Sequence, residues 1–205
     1  MSFTSYSELK TTIAGYLART DLTTQIPDFI RLAELRLRRD LRIRQMLKSV
    51  TTSTVANDET VELPSDFLEV RDFVVVGNPV RPLNYYSPSA FNRNTRTWEI
   101  GKPVDYTVLA NDFQLAPIPD TVYTLKMFYF AAPVFLSDSN TSNAFLANTP
   151  DALLYGALLE AAPYLMDDAR INTWGTMFDR AMASITRSDE QGQYSGVPLV
   201  IQTTL

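Results

Sequence analysis

The sequence predicts an α+β fold: a four-helix α bundle formed by N- and C-terminal helix pairs, with an antiparallel β insertion between them and an extended C-terminal arm. Three observations point there. Apolar residues recur with a period near 3.6 at both ends of the chain, and the period changes to 2 between about residues 48 and 133. From Ser188 periodicity dissolves into SDEQGQYSG and then an apolar patch at 197–201. At about 100–200 residues per domain, 205 residues make one domain, expected at 1–188, followed by an arm at 189–205.

The first helix is expected over 5–20. Ser5 and Glu8 form a capping box, Leu9, Ile13, Tyr16 and Leu17 make one apolar face, and Gly15 with Thr20-Asp21 ends it. The second, over 25–47, tolerates Pro27 in its first turn and carries the stripe Ile26, Phe29, Ile30, Ala33, Leu37, Leu41. In the insertion, residues 49–56 are β-branched and half polar. Asn57-Asp58 turns the chain, and Thr60 to Leu63 reads as the return strand. Leu68, Val70, Val74 and Val76 alternate with Glu69, Arg71, Phe73 and Val75. Asn111-Asp112 marks a hairpin between 106–110 and 113–115. Residues 121–131 are apolar on both faces, as in a central strand or one covered by a neighbouring molecule. After a polar loop at 137–148, Thr149, Pro150 and Asp151 open a third helix over 149–166. Its buried face is Leu154, Leu158, Ala161, Ala162 and Leu165, and Pro163 should kink it. A fourth, over 169–187, aligns Trp174, Phe178, Ala181 and Ile185.

Composition narrows function by exclusion. The chain has neither Cys nor His, which removes disulfide frameworks, cysteine nucleophiles, the usual Ser-His-Asp arrangement and most zinc sites. No apolar run reaches the ~20 residues that span a bilayer, so no membrane association is expected. The start lacks the features of a signal peptide, so a reducing cytosol is the expected place of synthesis. No catalytic, metal or cofactor-binding residues are assigned, and there is no phosphate loop or EF-hand pattern. The one enzymatic possibility is a cell-wall glycosidase using Glu160 with Asp167 or Asp168, since paired carboxylates are what glycosidic cleavage requires. Asp167-Asp168 reads better as a helix stop and cap, and Glu160 as solvent-facing or paired with an Arg.

Charge is unevenly placed. Between residues 31 and 48 lie Arg31, Arg36, Arg38, Arg39, Arg42, Arg44 and Lys48 against only Glu34 and Asp40. That segment is +5, leaving −10 for the rest of a chain whose total is −5. Arg suits bidentate pairing with carboxylate or phosphate. Two readings stand together: a solvated face with partners inside the subunit, or contact with a neighbouring copy or another acidic ring. Direct phosphate contact ranks behind both, because the overall charge opposes it. Tyr194 and the apolar run Val197, Pro198, Leu199, Val200, Ile201 either fold back or dock on another subunit as an added strand. The Gly-containing spacer at 191–196 favours docking. Trp98 and Tyr85-Tyr86 read as packing or interface aromatics.

Three stretches, Leu63-Pro64-Ser65-Asp66-Phe67-Leu68, Pro117-Ile118-Pro119-Asp120 followed by Tyr123 and Tyr129, and 150–158 (PDALLYGAL), follow an N-terminal helix pair that ends in the Arg-rich stretch. In that order they resemble the head-to-tail adaptor proteins of tailed bacteriophages, of podovirus type, over about residues 4–188. The resemblance implies a virion structural protein of the neck, assembled in the host cytoplasm and not an enzyme. It would form a homo-oligomeric ring, dodecameric in the virion, beneath the portal protein and offer a platform to tail or nozzle proteins. Genomic DNA would pass through its channel without specific binding. The resemblance also implies a C-terminal extension reaching onto the portal, matched in position by 191–205. A stopper or tail-completion protein is the alternative within the same class. Arg36, Arg38, Arg39, Arg42, Arg44, Tyr194 and 197–201 are thereby expected at a subunit or portal interface.

Overall fold

A computed structural model describes residues 3–93, 99–165 and 168–193. In chain order the elements are α1 (Tyr6–Leu17), α2 (Ile26–Asp40), β1 (Leu47–Ser53), β2 (Thr60–Glu62), β3 (Phe67–Val75), β4 (Arg81–Pro82), β5 (Asn84–Tyr85) and α3 (Pro88–Phe91). They continue with β6 (Ile100–Gly101), β7 (Asp105–Leu109), β8 (Asp112–Ala116), β9 (Ile118–Pro119), β10 (Thr124–Ala131), α4 (Ala144–Asn148), α5 (Pro150–Glu160) and α6 (Arg170–Gln193). The chain forms two compact units, 46–132 and the remainder, 1–45 with 133–205.

The helical unit is not the expected four-helix bundle. Its centre is α5, on which α1, α2, α4 and α6 all pack, and α1 meets α5 more extensively than it meets α2. The cause lies in α5 itself. Ala152, Leu153 and Leu154 are consecutive and all buried, as are Gly156, Ala157 and Leu158, so the helix is apolar all round and needs cover on every side. The stripe expected on one face was half of this. Pro163 ends α5 at Glu160 and opens a 3₁₀ turn, Ala162–Tyr164, instead of kinking a longer helix. Part of the polar loop at 137–148 is helix α4, capped by Asn143, whose side chain accepts from the Leu146 N–H.

The other helices follow local rules more closely. Ser5 Oγ accepts from the Glu8 N–H, and Glu8 reaches back to the Thr4 N–H at 2.7 Å, a capping box displaced by one residue. Helix α1 stops at Leu17 because Ala18 adopts the left-handed conformation (φ 53°). Helix α2 buries its expected stripe but ends at Asp40, seven residues short of the expected limit, with Leu41 extended.

The β unit has a core of its own, so the β section, 46–132, lies in the chain between the two parts of the helical unit but is a compact unit in its own right and not a small insertion on a bundle. One sheet has the order β1-β10-β3-β4, a second β2-β8-β7-β5, and β6 pairs with β9. Phe73, Val75, Leu125, Met127 and Tyr129 of the first sheet meet Val61, Tyr106, Phe113 and Leu115 of the second. Ring centroids of Phe73 and Phe113 lie 4.8 Å apart, and those of Phe73 and Tyr106 5.2 Å. Strand β10 is central, as its two apolar faces predict.

Three local expectations change. Strands β1 and β2 do not form a hairpin. The first pairs with β10 and the second with β8, so residues 54–59 carry the chain from one sheet to the other. In β3 a bulge inserts Arg71 between Val70, opposite Tyr129, and Asp72, opposite Phe128. One extra residue inverts the alternation, so Phe73 and Val75 point into the core and Val74 and Val76 do not. The β7–β8 turn sits at Ala110-Asn111, one residue early, with Ala110 at φ 55°.

Candidate assembly interface

The Arg-rich segment occupies the second half of α2 and the stretch leading to β1, and the fold distributes its guanidinium groups unequally. Arg36 forms an ion pair with Glu160 of α5 and lies 5.6 Å from the Phe178 ring of α6. Arg31 stands over the Phe135 ring at 3.0 Å, and Arg38 approaches the same ring at 5.3 Å. Arg42 donates to the Leu41 carbonyl at 2.7 Å and the Arg38 carbonyl at 3.0 Å, which stops the end of α2. Arg44 binds Asp189 of α6 twice, through its backbone N–H at 2.8 Å and through Nε at 3.2 Å. With Leu41 extended, the Arg44 N–H is outside the helical ladder and is satisfied by Asp189. The Arg44 guanidinium also lies where any side chain at Gly192 would stand. Arg39 is exposed and has no partner among the described residues.

Near Arg31 lies a carboxylate that periodicity did not single out. Glu34 is 1% exposed on the buried stripe of α2. Its Oε1 accepts from the Leu136 N–H at 3.0 Å and from Asn143 Nδ2 at 2.6 Å, while Oε2 takes a second, longer contact from the same N–H at 3.2 Å. Burial pushes the Glu34 carboxyl above the ordinary carboxylate range. The two donors and the nearby Arg31 oppose that shift without cancelling it. Asn143 also donates to the Val134 carbonyl at 2.9 Å, so Glu34 ties segment 133–143 to α2 and positions Phe135 under Arg31 and Arg38. Val134 in the tied segment is 71% exposed, and Leu32, beside Arg31 in sequence on α2, is 45% exposed. The result is a mixed basic and apolar face on the helical unit. Elsewhere on the helical unit, a polar cavity of about 220 Å³ is lined by Arg44, Asn148, Thr149, Ser184, Ser188 and Asp189.

Two of the three carboxylates that could serve glycosidic cleavage are engaged within the subunit. Glu160 is paired with Arg36, and Asp168 accepts the Arg170 N–H at 2.9 Å and its guanidinium at the start of α6. Hydrogen bonds from Arg170 hold Asp168 below the usual carboxylate range. Asp167 lies outside the described residues, as do Trp98, Tyr194, Val197, Pro198, Leu199, Val200 and Ile201. Tyr85 and Tyr86 are both exposed, on the β unit. Lys48, counted with the basic segment, is also in that unit and pairs with Asp66 at 2.6 Å.

The three stretches that carried the resemblance now have physical roles. Asp66 accepts from Lys48 and, at 2.8 Å, from the Tyr129 hydroxyl, and its carbonyl accepts the Ala132 N–H. Burial favours the neutral Asp66 carboxyl, but those two donors outweigh it and hold the group low. Burial and the same bond push Tyr129 up to about 12. Asp120 accepts from the Tyr123 hydroxyl at 2.7 Å. Gly156 permits the close approach of α5 to its neighbours. A Cβ there would stand 3.2 Å from the Ala33 Cβ and 3.3 Å from Phe178 Cε2. A Gly inside an apolar helix was the available sign of that packing; Glu34 offered none, because nothing in a periodic pattern separates a buried acid from a solvated one.

Comparison with known proteins adds one finding. A family model described as SU10 adaptor protein matches residues 4–201. No curated protein matches the chain. The chain therefore belongs to the SU10 adaptor protein family, whose members are structural components of phage virions that contact portal and tail proteins.

Proposed function

We propose that the chain is a head-to-tail adaptor subunit, of podovirus type, that forms a ring of identical copies beneath the portal and presents a platform to tail or nozzle proteins. The family match supports this most, because it runs through both units and on past α6 to residue 201. The basic and apolar face around Arg31, Leu32, Arg38, Arg39 and Val134 is a surface that a neighbour in such a ring can use. Arg36 and Arg44 contribute by fixing that face to α5 and α6, while Arg38, Arg39 and Arg42 lie nearer the contact. The C-terminal residues Tyr194 and 197–201 leave their own subunit and dock on another polypeptide of the neck. A ring of twelve, matching a dodecameric portal, is the size this reading favours, and its subunits assemble in the host cytoplasm. The net charge of −5 suits a channel through which DNA slides without being held.

Each contact is modest, but many copies engaged together hold by avidity. The test is co-sedimentation with portal rings. Because Asp189 bonds Arg44 and α6 runs to Gln193, the informative truncation is after Gln193, which leaves that clasp intact. The truncated chain should fold and fail to join the portal. Full occupancy of the portal by the truncated chain would overturn the role of the C-terminal segment.

A further inference from the structure

The β unit manages most of its sheet edges but leaves one open. Edge strand β4 is two residues long and contains Pro82, and β5 is also two residues long. Edge strand β2 has three residues, and the Thr60 N–H is capped by Asp58 Oδ1 at 2.9 Å. Edge strand β1 has seven residues, with no Pro and no bulge, and after Lys48 it reads Ser-Val-Thr-Thr-Ser, without charge. The bond from the Thr54 N–H to the Tyr123 carbonyl sets the phase of its ladder. Residues 48, 50, 52 and 54 therefore turn their backbone groups toward β10, and Ser49, Thr51 and Ser53 turn theirs away. Among the described residues no strand pairs with that outer edge.

Beside this edge runs a groove of about 430 Å³, bounded by β1 on one side and β2 with the following turn on the other. Val50, Val61 and Leu63 form its walls, and Phe73, Phe113 and Met127 of the core lie at its floor. Glu62 is its one charged lining residue. Thr51, Thr52, Ser53 and Thr60 add hydroxyls to the lining. An unpaired strand edge above a nearly uncharged groove with an apolar floor is the geometry of strand addition: main-chain bonds supply affinity, and alternate side chains fill the groove.

We propose that this groove receives the segment Val197–Ile201 of a second copy of the chain as an added β-strand. The inference rests on the reading that this segment docks outside its own subunit, and it names the receiver. Residues 194–205 contain no charged side chain, which matches the groove, and 197–201 carry five consecutive apolar residues that gain by burial. Pro198 is compatible with an outermost strand, provided its position faces away from β1, which leaves 197, 199 and 201 to make the backbone bonds.

The absence of Cys makes the test clean. Two populations of full-length chain are prepared, one carrying Thr51→Cys and the other Leu199→Cys or Val200→Cys. They are mixed, assembled with and without portal rings, and oxidised. A disulfide between the two populations should form with one of the two arm positions and at least tenfold less with the other, because adjacent residues of a strand face opposite sides. Equal yields at both positions, or no disulfide in either preparation, would overturn the proposal. A third preparation carries both substitutions in one chain, and a disulfide there with none between populations would make the groove the seat of its own arm and overturn the proposal. If no disulfide forms although truncation after Gln193 abolishes portal binding, this inference fails and the adaptor reading stands. If truncation leaves portal binding intact, the reading of the arm itself fails.

Discussion

Replacing Glu34 separates hydrogen-bond geometry from charge as the cause of the tie between α2 and segment 133–143. Glu34→Ala removes the acceptor for the Leu136 N–H and the Asn143 amide at a site 1% exposed. Two bonds to a charged acceptor contribute about 1.5–3 kcal/mol each, and the buried donors are left unsatisfied. The helical unit should lose about 3–5 kcal/mol, with no credit for better solvation. Glu34→Gln behaves differently, because both stronger bonds converge on Oε1. A Gln carbonyl placed there keeps both, and its amino group replaces Oε2, whose contact is the longer one at 3.2 Å. The cost should stay below about 1 kcal/mol.

The two variants also differ in pH dependence. The folded Glu34 pKa is raised, so its contribution to stability is fully present below the unfolded carboxylate pKa and is lost as pH rises through the folded value. Glu34→Gln abolishes that dependence, and its penalty should shrink between pH 4.5 and neutral pH as the parent loses stability. Urea unfolding followed by the fluorescence of Trp174, 5% exposed in α6, reads the helical unit once Trp98 is replaced by Phe. A Gln variant as unstable as the Ala variant would refute the reasoning, since charge and not geometry would then hold the segment.

Other expectations test the remaining structure. Ala18→Gly and Ala110→Gly, at φ 53° and 55°, should each stabilise by about 0.5–1 kcal/mol in thermal unfolding, because a Cβ disfavours the left-handed region. Gly156→Val should cost about 1–3 kcal/mol by forcing α5 away from Ala33 and Phe178, measured by the same fluorescence. Asp66→Asn should lower the Tyr129 hydroxyl from about 12 in an ultraviolet titration, leaving the upward push of burial in place. It should also remove the part of acid sensitivity that comes from a carboxylate with a lowered pKa, whose contribution is lost as pH falls through that value. Arg39→Glu should leave stability within about 0.5 kcal/mol of the parent and weaken portal binding, because that side chain is exposed and unpaired among the described residues.

Local rules carried the parts of the fold that are local. The α1 capping box, the α2 stripe and the two-faced strand β10 each follow from residues a few positions apart, and the structure contains them. What failed depended on partners distant in sequence. Beyond the end of α2 at Asp40, the Arg44 N–H is satisfied by Asp189, which no window around residue 40 contains. The inward face of β3 is decided by a bulge opposite β10, and β1 and β2 look like a hairpin because their separation to different sheets is set by β8 and β10. The bundle expectation fails because a stripe gives α5 one buried face, whereas its consecutive buried residues place it at the centre. At the candidate interface the Arg residues were visible in composition, but their individual standing was not. Arg36 and Arg44 are tied to acids more than 100 positions away, and only the fold distinguishes them from Arg39.

Native mass spectrometry of the full chain mixed with the portal of the same phage tests the adaptor assignment most directly. A single complex containing a portal ring and one chain for each portal subunit is the expected result. A portal ring that retains its own mass while the chain stays free at every stoichiometry would contradict it.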